Sequence, residues 1–482
     1  MEEVIDSEYS YNGIPESIYE YDRILGITDG IALNINNIVG SGIFLIPGNV
    51  WRLVKYPGTA LFVWISGGYI SFLGSWIYAE LSVILPNGAG ELKYFDEAFS
   101  GSKRLFVRIF SYIMIFIMRP ILIVFNACIA SQYLIYAILG KNQENQSGYF
   151  SKGYVIIRTT SIIILMIITL YHILSSKFAA RINAIFAVFK ILALTIIVIV
   201  GLIQLQNVNF KNHWINVFEN TSDNRSYSQR IGSYGYAMLE TLIAYEGWSN
   251  ANYLADKLIN PQRSVRVSNI YSIIITIILY ILVNISYITV VSPEDAVMRG
   301  DVSQIIAMYF GNTLVGETGK ILISLLIVIS SCGTISTLID SGSRIIVYAV
   351  RNNLIIHRFR FLYFYDERFH TPKNALLFQL FYCMILTIFL TTNAILVTTY
   401  YSLYQIILYH CAAAIGLMIL MKKFPTFYVS MTTKSFCVSF LLCMTFIAII
   451  MFFPPPSDEI DIYFAYVISW FVILVGIIVS CV

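Results

Sequence analysis

The residues with the most chemical potential in this chain sit where apolar runs are interrupted. The first interruption is Gly40-Ser41-Gly42, inside NNIVGSGIFLIPGNV at residues 36–50. A helix broken there offers free backbone N–H groups, a positive dipole end and the Ser41 hydroxyl to an anion. Small residues also serve close packing between membrane helices, so a packing contact is the competing reading. The second interruption is Glu246-Gly247, inside LIAYEGWSNANYLADKLINPQRS at residues 242–264. A carboxylate there can attract a cationic group, carry a proton, or stay solvated in a vestibule. The third feature is Lys190, in FAVFKILAL at residues 186–194. It lies ~12 Å into its apolar segment at ~1.5 Å per residue. An isolated ammonium at that depth costs at least ~2.5 kcal/mol, and snorkelling from there is strained. The chemistry these groups offer is the binding of charge and the movement of a proton. No set of nucleophile, base and oxyanion donors is present to make an enzyme.

Such residues need elements that hold them in a bilayer, and the composition supplies them. Of 482 residues, 57% are hydrophobic and only 12% charged, and the mean hydropathy is +0.72. Soluble chains carry about twice that charge. The apolar residues fall into twelve blocks: 24–50, 60–85, 105–139, 155–174, 182–203, 231–254, 270–291, 321–350, 375–390, 394–421, 435–453 and 460–482. Most reach the roughly 20 helical residues a hydrocarbon core requires. The expected class is an all-α polytopic membrane protein with twelve transmembrane helices. The loops after segments 2, 4, 6, 8 and 10 hold most of the Lys and Arg, among them Lys93, Arg104, Arg181, Lys257, Arg358 and Lys423. That asymmetry places those loops, and both termini, in the cytoplasm. Residues 1–23 are acidic and rich in tyrosine and read as a disordered cytoplasmic tail.

Other side chains have mostly structural readings. The seven cysteines all lie in apolar segments without metal-ligand spacing, so no disulfide framework, metal site or cofactor is expected. Sequons start at Asn145, Asn220 and Asn224, in loops assigned to the outside. Asp340 and Arg344 are four residues apart, share a helix face, and read as a structural ion pair. Arg119-Pro120 lies deep in segment 3 with no partner legible. Tyr400, Tyr401, Tyr404 and Tyr409 can line a side-chain pocket or sit at the membrane interface. His410 can relay a proton or simply pack with a hydrogen bond. There is no Walker A motif, no helical metal pair, no channel filter repeat and no basic nucleic-acid face.

Several stretches together resemble one family. GSGIF at 40–44, LPNGAGELKYFDEAFSG at 85–101, Arg119-Pro120, the FAVFKILAL lysine and AYEGWSNANYLADKLINPQR at 244–263 resemble the amino acid–polyamine–organocation superfamily. Within it they resemble the L-type amino acid transporters and the fungal methionine permeases, the latter through Asn250-Ala251-Asn252-Tyr253. The matches cover segments 1 to 6 well and 7 to 10 loosely.

The resemblance implies two inverted five-helix repeats, 24–204 and 231–421, followed by two extra helices at 433–482. It implies an amino acid bound at mid-membrane by Ile38, Val39, Gly40, Ser41 and Gly42 from the first break. Ile243, Ala244, Tyr245, Glu246 and Gly247 from the second break complete that set. The carboxylate is expected on N–H groups near Gly40–Gly42, and the ammonium on carbonyls near Ile38, Ile243 and Ala244. Lys190 is expected where sodium-dependent relatives hold sodium, between helices 1 and 8, with Lys190 and Glu246 as coupling or gating groups. Asp340 departs from the family, whose members tend to be apolar there. The loop at 140–153 lacks the cysteine that bonds a heavy chain in L-type relatives, so no disulfide-linked partner is expected. The leading expectation is a plasma-membrane permease for neutral L-amino acids such as methionine, with a proton as coupling ion. Glu246 keeps a cationic amino acid or polyamine carrier open, and the acidic tail keeps open a sensor that binds without transporting.

Overall fold

The computed structural model describes residues 23–450 and 453, apart from 87, 102–103, 141–151, 208–211, 215–216, 219–224, 293–304, 367 and 426–429. The acidic tail, the three sequons, most of the 140–153 loop and segment 12 lie outside the described residues.

Among the described residues, sixteen α-helices follow one another. The first apolar block becomes α1 (Ile27–Ile38) and α2 (Gly42–Val54), bent by 42° at the break between them. Pro57 opens α3 (Pro57–Ile84), where its missing N–H costs nothing. A short α4 (Glu91–Ala98) lies between α3 and the next span. That span joins α5 (Leu105–Ile113) to α6 (Arg119–Leu139) through a wide π turn at Met114–Met118. The turn directly precedes Arg119-Pro120, as expected where a proline removes a ladder donor inside a helix. Then come α7 (Lys152–Leu174) and α8 (Ser176–Gln204), the latter capped by Ser175 Oγ accepting from Phe178 N–H.

The second half repeats the interruption. Helix α9 (Tyr227–Tyr245) starts on a Ser226/Gln229 capping box, stops at Glu246, and resumes as the single turn α10 (Asn250–Tyr253). The long α11 (Pro261–Val290) follows, then α12 (Ile306–Val315) and α13 (Glu317–Arg351). The last described helices are α14 (Lys373–Phe389), α15 (Thr392–Lys423) and α16 (Met431–Ile450).

Among the described residues, eight helices are long and apolar enough to cross a membrane, or nine with the bent pair α1/α2. The chain is an all-helical multi-pass membrane protein. Segment 6 is not among them and divides into the 19-residue α9 and the single turn α10, and segment 9 becomes the 17-residue α14. Helix α12 was not expected from the sequence at all.

Packing puts α1 at the centre, against α8, α11 and α13, while α11 also runs along α3 and α13 along α6. Ser71, Ser75, Ser268, Ser272 and Thr276 are buried on α3 and α11, where small side chains let membrane helices approach. Ile167 on α7 and Ile196 on α8, each 60% exposed, belong to the outward apolar faces that a bilayer covers.

Candidate functional site

Both breaks face one cavity of about 540 Å³. Ligand pockets commonly run from roughly 300 to 1,000 Å³, so an amino-acid-sized molecule fits. Its lining runs from Arg52 and Glu240, toward one membrane side, to Glu91, Arg119 and Tyr253 at the floor. Ile38, Gly40, Ser41 and Gly42 line it from the first break, and Ile243, Ala244 and Glu246 from the second. Val39, Tyr245 and Gly247 do not; they hold the breaks from behind.

At the first break the geometry refines the sequence expectation. Gly40 N–H donates to Ile38 O at 2.8 Å, so it is already committed inside the turn. The unspent donors of the helix start are those that follow, beginning with Ser41 and Gly42. Ser330 Oγ on α13 lies 2.9 Å from both Val39 O and Gly40 O, so its one proton serves one of the carbonyls freed by the break at a time.

At the second break Glu246 is extended and Gly247 sits at φ +124°. A Cβ on Gly247 would stand 2.9 Å from the backbone carbonyl carbon of Asn37, so the two breaks touch through a glycine. The Tyr280 hydroxyl lies 3.0 Å from Ile38 O and 3.2 Å from Ala244 O. One hydroxyl proton serves one of these carbonyls at a time. The pair therefore keeps acceptor capacity for a cation.

Lys190 is 3% exposed. Its Nζ donates to Asn36 O on α1 at 2.7 Å and lies 3.5 Å from Thr334 Oγ1 on α13. Thr334 Oγ1 also donates to Asn36 O at 2.9 Å. The lysine thus ties the end of α1 to the eighth apolar segment. Gly333 makes the room: a Cβ there would lie 2.9 Å from the ammonium.

The cavity wall carries a second set of titratable groups. Glu246 Oε2 is 2.9 Å from His410 Nε2, and the carboxylate side chain keeps 22% of its exposure. His410 Nδ1 is 2.8 Å from the Tyr78 hydroxyl. The His410 ring lies against Trp248, with centroids 5.0 Å apart. Tyr409 and His410 line the cavity, whereas Tyr401 and Tyr404 are buried elsewhere; the Tyr400 side chain lies outside the described residues. Arg119 finds its partner in the face of Tyr253, 4.7 Å from the ring centroid.

A profile of the amino acid permease family matches residues 25–478. This chain belongs to the amino acid permease family. The permease is 26% identical over 396 residues to b(0,+)-type amino acid transporter 1 of Oryctolagus cuniculus, covering 82% of this chain and 75% of that one. It is 28% identical over 404 residues to large neutral amino acids transporter small subunit 2 of Mus musculus, covering 83% and 71%. Asc-type amino acid transporter 1 of Mus musculus is 28% identical over 353 residues, covering 73% and 62%. The chain is an amino acid transporter of this superfamily and not an enzyme.

Below its floor the permease is closed. Ile24 and Leu25 N–H both donate to Lys257 O at 3.0 Å, and Ile259 N–H donates to Leu25 O at 2.9 Å. The expected Asp340/Arg344 pair is drawn outward instead, each side chain pairing across to the segment after α10. Lys257 Nζ meets Asp340 at 3.0 Å, and Arg344 meets Asp256 at 3.1 Å and the Tyr365 hydroxyl at 2.8 Å. A helix face shared at i, i+4 permits a pair, but two opposite charges presented by a neighbouring segment satisfy both groups better.

Sequence reasoning missed the amide network that fixes the second break. Asn34 donates to Asn269 at 2.9 Å, and Asn269 donates to Asn252 at 2.8 Å. Asn252 in turn donates to Tyr78 O and to the Tyr94 hydroxyl. Asn34 Oδ1 also accepts from Ala251 N–H at 2.8 Å. The only available signal was an amide side chain inside an apolar run, which is costly unless paired. Glu91 was also passed over. It is 5% exposed, lines the cavity floor, and has Ser249 Oγ 3.5 Å from its Oε1.

Proposed function

We propose that this chain is a plasma-membrane permease that carries neutral L-amino acids by alternating access, with methionine the first candidate and a proton as coupling ion. The observation that carries this reading is the meeting of the two breaks in one cavity. N–H groups of Ser41 and Gly42 suit the substrate carboxylate, while Ile38 O and Ala244 O, facing the same Tyr280 hydroxyl, suit its ammonium. Ile243, Tyr245 and Gly247 set the shape of the second break, and Val39 that of the first. Lys190 bridges the helix that breaks to the helix behind it, a position from which it can gate the cavity.

On this reading residues 24–204 and 231–421 are inverted repeats of five spans each, and 433–482 adds two more for a total of twelve. Each repeat opens with a broken span, which supports the division. The closed side of the cavity carries the Lys- and Arg-rich loops, so it is the cytoplasmic side and both termini lie there. The stretch 140–153 holds no cysteine, in keeping with a permease that forms no disulfide to a heavy chain.

A second reading is favoured by one observation: the Glu246 carboxylate, part-exposed in the cavity, can receive a cationic substrate side chain. Uptake of labelled methionine, leucine and arginine into transport-deficient cells, at acid and neutral external pH, separates the two. Faster methionine or leucine uptake at acid pH, resisting competition by arginine, is the expected result. Arginine uptake that dominates and vanishes in Glu246→Gln transfers the cavity to cationic substrates. Substrate binding without flux in liposomes rejects both in favour of a sensor.

A further inference from the structure

The stretch between α13 and α14 carries charge and apolar surface that the transport cavity does not use. Residues 352–374 hold Arg358, Arg360, Arg368 and Lys373 against Asp366 and Glu367, interleaved with Phe and Tyr. Aromatic rings and cationic side chains of this kind gather at membrane–water interfaces. A 3-10 helix at His357–Tyr363 sorts them. Residues three apart eclipse one another there, so three stripes run along it. One stripe points inward: the Phe359 ring lies 6.0 Å from that of Phe116 and 5.8 Å from that of Phe378, and Leu362 is buried. The next stripe, Arg358 and Phe361, is exposed, and Arg360 stands exposed on the third. Ile356 and Phe364, on either side of the turns, are exposed as well.

The depth of this surface follows from α14. Its outward face carries Phe381, Ile385 and Ile388, which a bilayer covers. With 17 residues it is ~25 Å long at ~1.5 Å per residue, against a hydrocarbon core of ~30 Å. A helix shorter than the core brings its ends to the headgroup level. Lys373, its first residue, therefore stands at the hydrocarbon boundary. There Lys373 and Arg368 line an open cleft of about 430 Å³ with Phe364, Tyr365, Asp366 and Asn374. Asp366 is already engaged: it accepts from the N–H groups of Arg368 and Phe369 at 3.0 Å and faces Lys373 Nζ at 3.6 Å. Among the described residues, Arg358, Arg360 and Arg368 form no ion pair. The surface thus carries unpaired positive charge at the level where a leaflet presents its phosphates.

We propose that residues 356–374 are a binding site for an anionic phospholipid of the leaflet at the closed end of the permease. Arg368 and Lys373 hold the headgroup phosphate in the cleft, and Arg358 and Arg360 meet neighbouring phosphates. Ile356, Phe361 and Phe364 enter the acyl boundary. The site reaches the closure through one residue. Tyr365 lines the cleft, and its hydroxyl accepts at 2.8 Å from Arg344, the arginine that holds Asp256 at 3.1 Å. A headgroup that fills the cleft holds Tyr365 in place and so steadies the closed end. The site stands whichever amino acid and coupling ion the cavity takes.

The test compares the full chain with Arg358→Gln/Arg360→Gln/Arg368→Gln, a change confined to exposed side chains. Native mass spectrometry in neutral detergent titrates phosphatidylserine and phosphatidylcholine onto each. A cation near an anionic lipid surface is worth roughly fivefold in affinity, so the triple variant is expected to lose more than about tenfold of its preference for phosphatidylserine. Lys177→Gln/Arg181→Gln, which removes exposed cations at the start of α8, is expected to keep the parent preference. In nanodiscs, added phosphatidylserine is expected to slow hydrogen exchange at Leu25 and Ile259 in the parent and not in the triple variant. A parent without preference for phosphatidylserine, or an equal loss in the Lys177/Arg181 variant, overturns the site. Equal protection of the closure by glycerophosphoserine in phosphatidylcholine discs gives the cleft to a soluble anion and overturns the membrane reading. Preferential binding that leaves exchange at Leu25 and Ile259 unchanged overturns the link through Tyr365.

Discussion

At the scale of single residues, two titratable groups have different kinds of partner: Glu246 lines the cavity, and Lys190 reaches it only through Asn36 and Thr334. Among the described residues Lys190 donates to neutral oxygens, Asn36 O and Thr334 Oγ1, and Thr334 Oγ1 also donates to Asn36 O. Removing the ammonium therefore leaves no carbonyl orphaned. Lys190→Met keeps most of the buried volume and loses one charge-assisted hydrogen bond, worth about 1.5–3 kcal/mol in such settings. The expected outcome is a permease that reaches the membrane and binds substrate but transports it at least about tenfold more slowly, since tenfold corresponds to only about 1.4 kcal/mol. Uptake normalised to surface protein checks this, and parent-level uptake in Lys190→Met removes the gating role. Glu246 is different: it has a titratable partner in His410, which the sequence could not pair with it across 164 positions.

At the scale of elements, the two breaks show what a pattern of residue types can and cannot specify. Gly40-Ser41-Gly42 and Glu246-Gly247 were legible because weak helix formers and a charge inside an apolar run have few structural uses. Gly247 then proves to be a fixed requirement. At φ +124° an added Cβ is strained by about 1–3 kcal/mol, and here it also meets Asn37. Gly247→Ala is expected to abolish uptake while part of the protein still folds. Gly140→Ala is the control, since Gly140 at φ +63° ends α6 with nothing within 4 Å of its would-be Cβ, and uptake is expected near the parent level. Equal loss in both variants would show that positive φ alone, and not the contact between breaks, matters. Other elements were beyond the sequence for definite reasons. Helix α12 is 10 residues long, too short for an apolar-run search. The Asn34–Asn269–Asn252 network joins positions 235 and 17 apart, and only folding brings them together.

At the scale of the whole molecule, the structure holds one state of a cycle, with the cavity closed on the basic side by a short list of ties. Two of those ties are ionic and enclosed: the Lys257 and Asp340 side chains are 6% and 13% exposed, and Arg344 in its pair with Asp256 is 5% exposed. Removing one partner of a buried pair typically costs about 3–5 kcal/mol, because the other charge is left in a poor environment. A transporter in which open and closed forms differ by only a few kcal/mol is tipped by a change of that size. Asp340→Asn leaves Lys257 buried beside a neutral amide, which weakens the closed form. Hydrogen exchange followed by mass spectrometry is expected to show faster exchange at Leu25 and Ile259, whose amides join the two segments at the closure. Peptides from the centre of α6 and α13 keep their protection. The exposed pair Lys423–Glu97, with both side chains 42% exposed, provides the comparison: breaking it is worth at most about 1 kcal/mol and leaves exchange at the closure unchanged. Under the proposed orientation uptake follows the same logic, because a permease biased toward opening at this end presents its cavity to outside substrate less often and needs more substrate for the same rate. Unaltered exchange at Leu25 and Ile259 in Asp340→Asn would mean that the backbone ties alone keep this end shut, and that Asp340 and Lys257 only neutralise one another.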